Sequence, residues 1–434
     1  MCITSNLILS IIVFLNTPFK YNSKDSIAID SNNFRGSQTD PIHKLKSDNV
    51  GNSTDITIRL KDITASGKVN IIGFYLDQNF LADTLNSTDG VIHYKKDKAM
   101  DQGLYYFSIP GRKDEYVQVF IGEDQEFEMT ALASDLFNSM EIKGSEENSL
   151  FYENIKFESP IQASIGKINN ELKNLKEDSP EYRQLKSDLI KYDNQRMSKI
   201  KELYNKYPKS LFVNFKNGGQ NPKLDETLSK EAQLVKFRNE FWDNVNFSDE
   251  RLLHTVIIGN KLKRFFKDLT PQNQDSIIQS AHMLMQKVIH NKEYFKAIAN
   301  WITLTYEPGK CPLMDAEAVF VFMVQNYFTK EKAFWQDSLS TSVIQKRAFE
   351  MSHCLLGQQG PNVISVDPLG NSQELYTMKA DYLIVYMYNP ECEHCQEETP
   401  KLHKYYLEHK DSVDVFAIAI QTNDEKWKNY INKN

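Results

Sequence analysis

From Asp55 to about Lys143 apolar and polar residues alternate along the chain. The stretch DITIRL puts Ile56, Ile58 and Leu60 on one face. YVQVFIG does the same with Val117, Val119 and Ile121, and EFEMTA with Phe127, Met129 and Ala131. A period of two belongs to strands with one covered face. STDG, ending at Gly90, and IPGRKDE, around Gly111, are turn signals between such runs. Short alternating strands with these turns predict an antiparallel sheet folded as a small sandwich. Nothing in it carries obvious chemistry.

The period then becomes helical, from about Ser145 to Cys354. Ile161, Ile165, Ile168, Leu172 and Leu175 are spaced four, three, four and three, which is one stripe of a helix. EDSPEY breaks it, with Ser179 as an N-cap and Pro180 at the first helical position of a second helix that carries Leu185, Leu189 and Tyr192. The pair reads as a helical hairpin. FRNEFWDNVNF and FKAIANWITLTYE continue as aromatic-rich amphipathic segments, whose stripes fit packing between helices better than a ligand groove.

From Leu356 onward the pattern is α/β. ADYLIVYMYN is a nearly continuous apolar run of strand length, as in a strand buried on both faces. EETPKLHKYYLEHK follows as a helix, VDVFAIAI as a second buried strand and DEKWKNYI as a short final helix.

A chain of 434 residues is long for one core. Its apolar content of 41% and charged content of 25% are those of a folded protein. The net charge of −7, with no long basic run, gives no reason to expect nucleic-acid binding. Residues 1–20 hold an apolar run from Leu7 to Leu15, too short for a bilayer span and suited to the core of an export signal, although the positive start and an A-x-A site are missing. A signal peptide is the expectation, with a misassigned start or a short membrane anchor as the alternatives. Residues 21–50 read as a polar linker.

The chemistry concentrates in MYNPECEHCQEETPKL, which holds Cys392 and Cys395. A C-x-x-C is a redox pair or half of a zinc site. Zinc needs four ligands, and Cys311 and Cys354 each stand alone in helical sequence, where they read as buried thiols. No metal is expected. The redox reading needs a buried strand running into the motif and a helix leaving it, because a helix N-terminus stabilises a thiolate. The sequence supplies both. Cys392 is then the nucleophile and Cys395, one turn on, the resolving thiol. His394 would favour the thiolate if protonated or donating a hydrogen bond, and Glu393 would oppose it by charge repulsion.

LGQQGPNVISV followed by GNSQELYTMKADYLIVYMYNPECEHCQEETPKL resembles the thioredoxin-like proteins of bacterial cell envelopes, of the TlpA and ResA type. The shared pattern runs from Gly357 and Pro361 through a hydrophobic strand to the C-x-x-C. Pro400 follows five residues after Cys395, where it would kink the active-site helix, and Glu398 stands just before it. Gly360 replaces the family's alanine. Upstream, IKGSEENSLFYENI, with Gly144, Ser145 and Asn148, resembles the end of a β-rich domain that precedes such thioredoxin domains, and FWDNVNFSDERLL resembles their helical region.

The resemblance implies a multidomain α+β protein: an N-terminal antiparallel β-sandwich-like domain at 51–145, an α-helical middle region at 146–355, and a C-terminal partial thioredoxin-like α/β domain at 356–434. It implies a periplasmic or envelope thiol:disulfide oxidoreductase, working as a disulfide reductase, with no cofactor beyond a redox-active disulfide Cys392–Cys395. Its partners would be disulfide-containing envelope proteins and a membrane electron donor. No proline follows Pro400, so the family's cis-proline and its closing β-β-α half are expected to be missing, which would leave the 382–388 strand with a bare edge; truncation is the expectation, with a partner that completes the fold as the alternative. The alternative is an envelope binding or scaffold protein that carries a vestigial half-domain.

Overall fold

The computed structural model describes residues 53–225 and 227–433; the expected signal peptide and linker lie outside them. The chain divides into two compact units, Met1–Ala348 and Phe349–Asn434. The N-terminal strands and most of the helices therefore share one unit.

Eight strands open the first unit: β1 Thr54–Leu60, β2 Gly67–Tyr75, β3 Gln78–Ser87, β4 Val91–Lys96, β5 Gly103–Ser108, β6 Tyr116–Ile121, β7 Glu126–Ala131 and β8 Glu141–Lys143. They form two four-stranded sheets, ordered β4-β1-β7-β8 and β3-β2-β5-β6. The alternation seen in the sequence points inward: Ile56, Ile58, Leu60, Phe127, Met129 and Ala131 are all buried. Tyr94 of one sheet meets Phe107 of the other edge to face, with ring centroids 6.4 Å apart.

The sandwich is not wholly antiparallel. β1 pairs with β7 in parallel, Ile58 beside Met129. Alternation reveals which face of a strand is covered but not the direction of its neighbour. In β6 the alternation also fails at Phe120, which is buried along with Val119 and Ile121. The reason is a second covering layer, since Phe120 packs edge to face on Phe151, Phe212 and Phe215 of the helical region.

The helices are α1 Glu146–Leu172, α2 Pro180–Lys206, α3 Leu211–Gly218, α4 Lys230–Glu240, α5 Val256–Arg264, α6 Gln274–Val288, α7 Lys292–Thr305, α8 Ala316–Tyr327 and α9 Ser338–Ser352. α1 and α2 form the expected hairpin, and the Ser179 hydroxyl caps α2 by accepting from Tyr182 N–H at 3.1 Å.

Gly144, Ser145 and Asn148 make the joint between sheet and helix. Gly144 has φ +87°, and a Cβ there would sit 2.8 Å from the Glu126 carbonyl, so only glycine fits. Ser145 caps α1. Asn148 is fully buried and pairs with strand β6 as another strand would: Phe120 N–H donates to its Oδ1 at 2.8 Å, and its Nδ2 donates to Phe120 C=O at 2.8 Å. Glu147 beside it accepts from the Ser210 hydroxyl (2.6 Å) and from Leu211 and Phe212 N–H (2.7 and 2.8 Å), capping α3.

The second unit contains a hairpin of β9 Ile364–Val366 and β10 Ser372–Glu374, then β11 Tyr382–Tyr388, α10 Glu393–His409, β12 Val413–Ala419 and α11 Asp424–Lys433. β11 and β12 pair in parallel, from Tyr382 beside Val413 to Tyr388 beside Ala419. This is one β-α-β crossover.

The expectation that β11 is buried on both faces is corrected. Val385 and Met387 share a face and are 45% and 64% exposed. The two helices put their side chains on the opposite face, where Tyr388 stacks on Tyr430 at 5.2 Å and receives a hydrogen bond from Trp427. Cys354 is likewise exposed and Cys311 half-buried, so neither is the buried thiol expected.

Asn148→Ala should destabilise the first unit by about 2–4 kcal/mol, since it strands a buried N–H and a buried C=O of β6 together. Urea unfolding followed by tryptophan fluorescence checks this; a loss within experimental scatter would show that the joint is dispensable.

Candidate active site

The site grows out of the turn between β11 and α10. Asn389 shapes that turn: its side chain accepts from Glu391 N–H at 2.8 Å, and its carbonyl accepts from Cys392 N–H at 3.0 Å. Cys392 is the N-cap residue of α10, with extended backbone angles (φ −83°, ψ 122°), and its carbonyl accepts the first helical bond, from Gln396 N–H at 3.1 Å. A cap side chain faces the free N–H groups of the first turn. At this cap the side chain is a thiol.

Cys395 lies in that first turn. The two cysteines are half-buried free thiols. Hydrogen bonding from the Cys395 N–H, then from the Cys395 side chain and the His394 N–H, holds the Cys392 thiol below its ordinary pKa, while the Glu393 charge pushes it up. Glu393 thus acts in the expected sense. His394 contributes through its backbone, and its side chain is exposed. Glu398 pairs with Lys401 on the helix surface at 2.7 Å. Pro400 stands inside α10, where it offers no N–H to the carbonyl one turn back.

Three hydroxyls not singled out in the sequence support Cys395. Its carbonyl accepts from the Thr399 hydroxyl at 2.7 Å and the Tyr430 hydroxyl at 2.9 Å. Thr399 Oγ1 also lies 2.7 Å from the Tyr430 hydroxyl and 2.9 Å from that of Tyr386. The network ties β11, α10 and α11 together beneath the second cysteine. Trp427 Nε1 donates to the Tyr388 hydroxyl at 3.1 Å, and Lys426 pairs with Glu391 at 2.7 Å. A signal for these residues exists in the sequence: Tyr386 and Tyr388 share a strand face at period two, and Trp427 and Tyr430 share a helix face at i, i+3. Among the described residues, no three His, Cys, Asp or Glu side chains gather as a metal site.

No protein-family model matches the chain, and no curated protein matches it. Among solved structures, a thioredoxin-like protein from Bacteroides caccae aligns with a TM-score of 0.39 at 17% identity, over 49% of this chain and 78% of that one.

Chemically, the arrangement offers one activated thiol and a second thiol one turn away on the same helix. The alkylation rate of Cys392 in a Cys395→Ala variant, which keeps the backbone N–H, should rise with a pH midpoint below the ordinary thiol value of about 8.5. Glu393→Gln should lower that midpoint further. Mass spectrometry of iodoacetamide-labelled peptides reads both, and a midpoint at or above the ordinary value would contradict the assignment of Cys392.

Proposed function

We propose that the chain carries out thiol–disulfide exchange through Cys392 and Cys395, on a domain of thioredoxin-like type. The observation that carries this reading is the position of Cys392 at the N-cap of α10, with Cys395 in the first turn of the same helix.

In the reductive direction the Cys392 thiolate attacks one sulfur of a substrate disulfide. A mixed disulfide forms and the substrate's other sulfur leaves as a thiolate, which takes up a proton. Cys395 loses its proton and attacks Cys392 Sγ. The Cys392–Cys395 disulfide forms and the second substrate sulfur departs. The substrate gains two electrons and the cysteine pair loses two. Reduction of the pair by an external dithiol completes the cycle.

The finer reading follows the TlpA and ResA resemblance. It makes the protein an envelope reductase, exported by its N-terminal segment, acting on disulfide-containing envelope proteins and recharged by a membrane electron donor. The exposed Val385 and Met387 face of β11 lies on the strand that leads into the site, and an apolar surface of this kind suits contact with extended polypeptide.

Cys392→Ser should bring reduction of a disulfide-bonded test protein to background. Cys395→Ser should accumulate a mixed disulfide with the same substrate, visible on a non-reducing gel and lost on adding dithiothreitol. Full activity in the Cys392 variant would overturn the proposal. Loss of binding partners on deleting residues 51–355, with capture independent of Cys392, would favour the scaffold reading instead.

A further inference from the structure

The first unit encloses a cavity of about 480 Å³ between the outer face of β5 and β6 and the helices α1, α3 and α5. That volume lies within the range of small-molecule sites, roughly 300–1,000 Å³. Leu104, Phe120, Phe151, Phe215 and Ile257 give it an apolar wall. Its polar side carries five cations and one carboxylate, Asp268.

The cations are not equivalent. Lys216, which also lines the cavity, is neutralised by Glu158 at 2.7 Å. Lys263 pairs with Asp77 at 3.2 Å. Lys261 is 5% exposed, lines the cavity, and among the described residues has neither a hydrogen-bond acceptor nor a carboxylate within ion-pair distance. Its ammonium rests 4.0 Å from the centroid of Phe241, and the Arg264 guanidinium lies 5.7 Å from the same ring. Both cations thus lie within cation–π range of one ring, and Asp268, which also lines the cavity, is near enough to Arg264 to favour its charge. Burial, and after it the Arg264 charge, pushes the Lys261 amine down to about 7.

The sequence explains how a lysine came to this place. α5 buries Ile258 and Leu262, and Lys261 sits on the same face of the helix. Gly259 permits the seating: a Cβ there would lie 2.4 Å from Leu76 C=O, at the turn between β2 and β3. A methionine or leucine at 261 would satisfy the packing without the desolvation cost of an amine. Apolar walls, with Lys261 lacking an ion-pair partner among the described residues and Arg264 one helical turn on, fit a ligand that brings its own anion.

We propose that this cavity binds an amphipathic monocarboxylate, an aliphatic or aromatic acid whose carboxylate lies between Lys261 and Arg264 and whose apolar body lies on the Phe120, Phe151 and Phe215 wall. The site is separate from the cysteine pair and stands whatever the outcome for Cys392.

The test is calorimetric titration of the full chain with decanoate and 3-phenylpropanoate, each beside its uncharged amide. Both acids should bind saturably, and each amide about tenfold or more weaker, the usual worth of a charge-assisted contact. Lys261→Met, which keeps the volume and removes the charge, should lose the preference for acid over amide while retaining the melting temperature. Lys261→Arg should keep much of it. No saturable binding of either acid, equal binding of acid and amide, or an unchanged preference in the folded Lys261→Met variant would overturn the proposal.

Discussion

Parallel strands cannot be joined by a tight turn. The chain has to leave one end of β11, cross over and return to the other end before β12 can begin. In this protein the crossover is α10, and the register from Tyr382–Val413 to Tyr388–Ala419 fixes where it starts. The helix therefore opens within a few residues of Tyr388, and whichever residue stands at its cap faces the unpaired N–H groups of the first turn. Here that residue is Cys392. The position of the thiol follows from the topology of two strands and one helix, with the Asn389 turn setting the register between them.

The rest of the second unit serves this geometry. Tyr386, Thr399 and Tyr430 join strand, active helix and last helix through hydroxyls around the Cys395 carbonyl. Because all three elements meet there, the seating of the first turn of α10 depends on side chains far apart in sequence. The Val385 and Met387 face contributes nothing to this network and stays open.

The Cys392 position was legible because a strand-length apolar run, a C-x-x-C and a helical pattern follow one another without interruption, and only one local arrangement accommodates all three. The inward faces of β1, β6 and β7 were legible for the same local reason. The parallel pairing of β1 with β7 was not, since alternation is blind to the partner strand. Nor was the exposure of β11, because an apolar run looks the same whether one face or two are covered. The Tyr430 contact spans 35 residues, and its only sequence trace is a shared helix face. Lys261 was hidden by type: a lysine in GNKLKRFFKD reads as solvated surface, and only its spacing from Ile258 and Leu262 reveals the buried side. The Gly144, Ser145 and Asn148 cluster was visible as a pattern; its meaning, a helix fastened to a sheet edge by one amide, needed the coordinates.

The claim on which the account turns is that Cys392 and Cys395 form one reversible redox pair held by the second unit. A redox titration of the purified chain in graded thiol–disulfide buffers, trapped with an alkylating label and read on the peptide containing both cysteines, tests it most directly. The account predicts a single reversible two-electron transition confined to that peptide, with Cys311 and Cys354 unchanged. A pair that stays reduced throughout, or that forms only disulfides between chains, would contradict it.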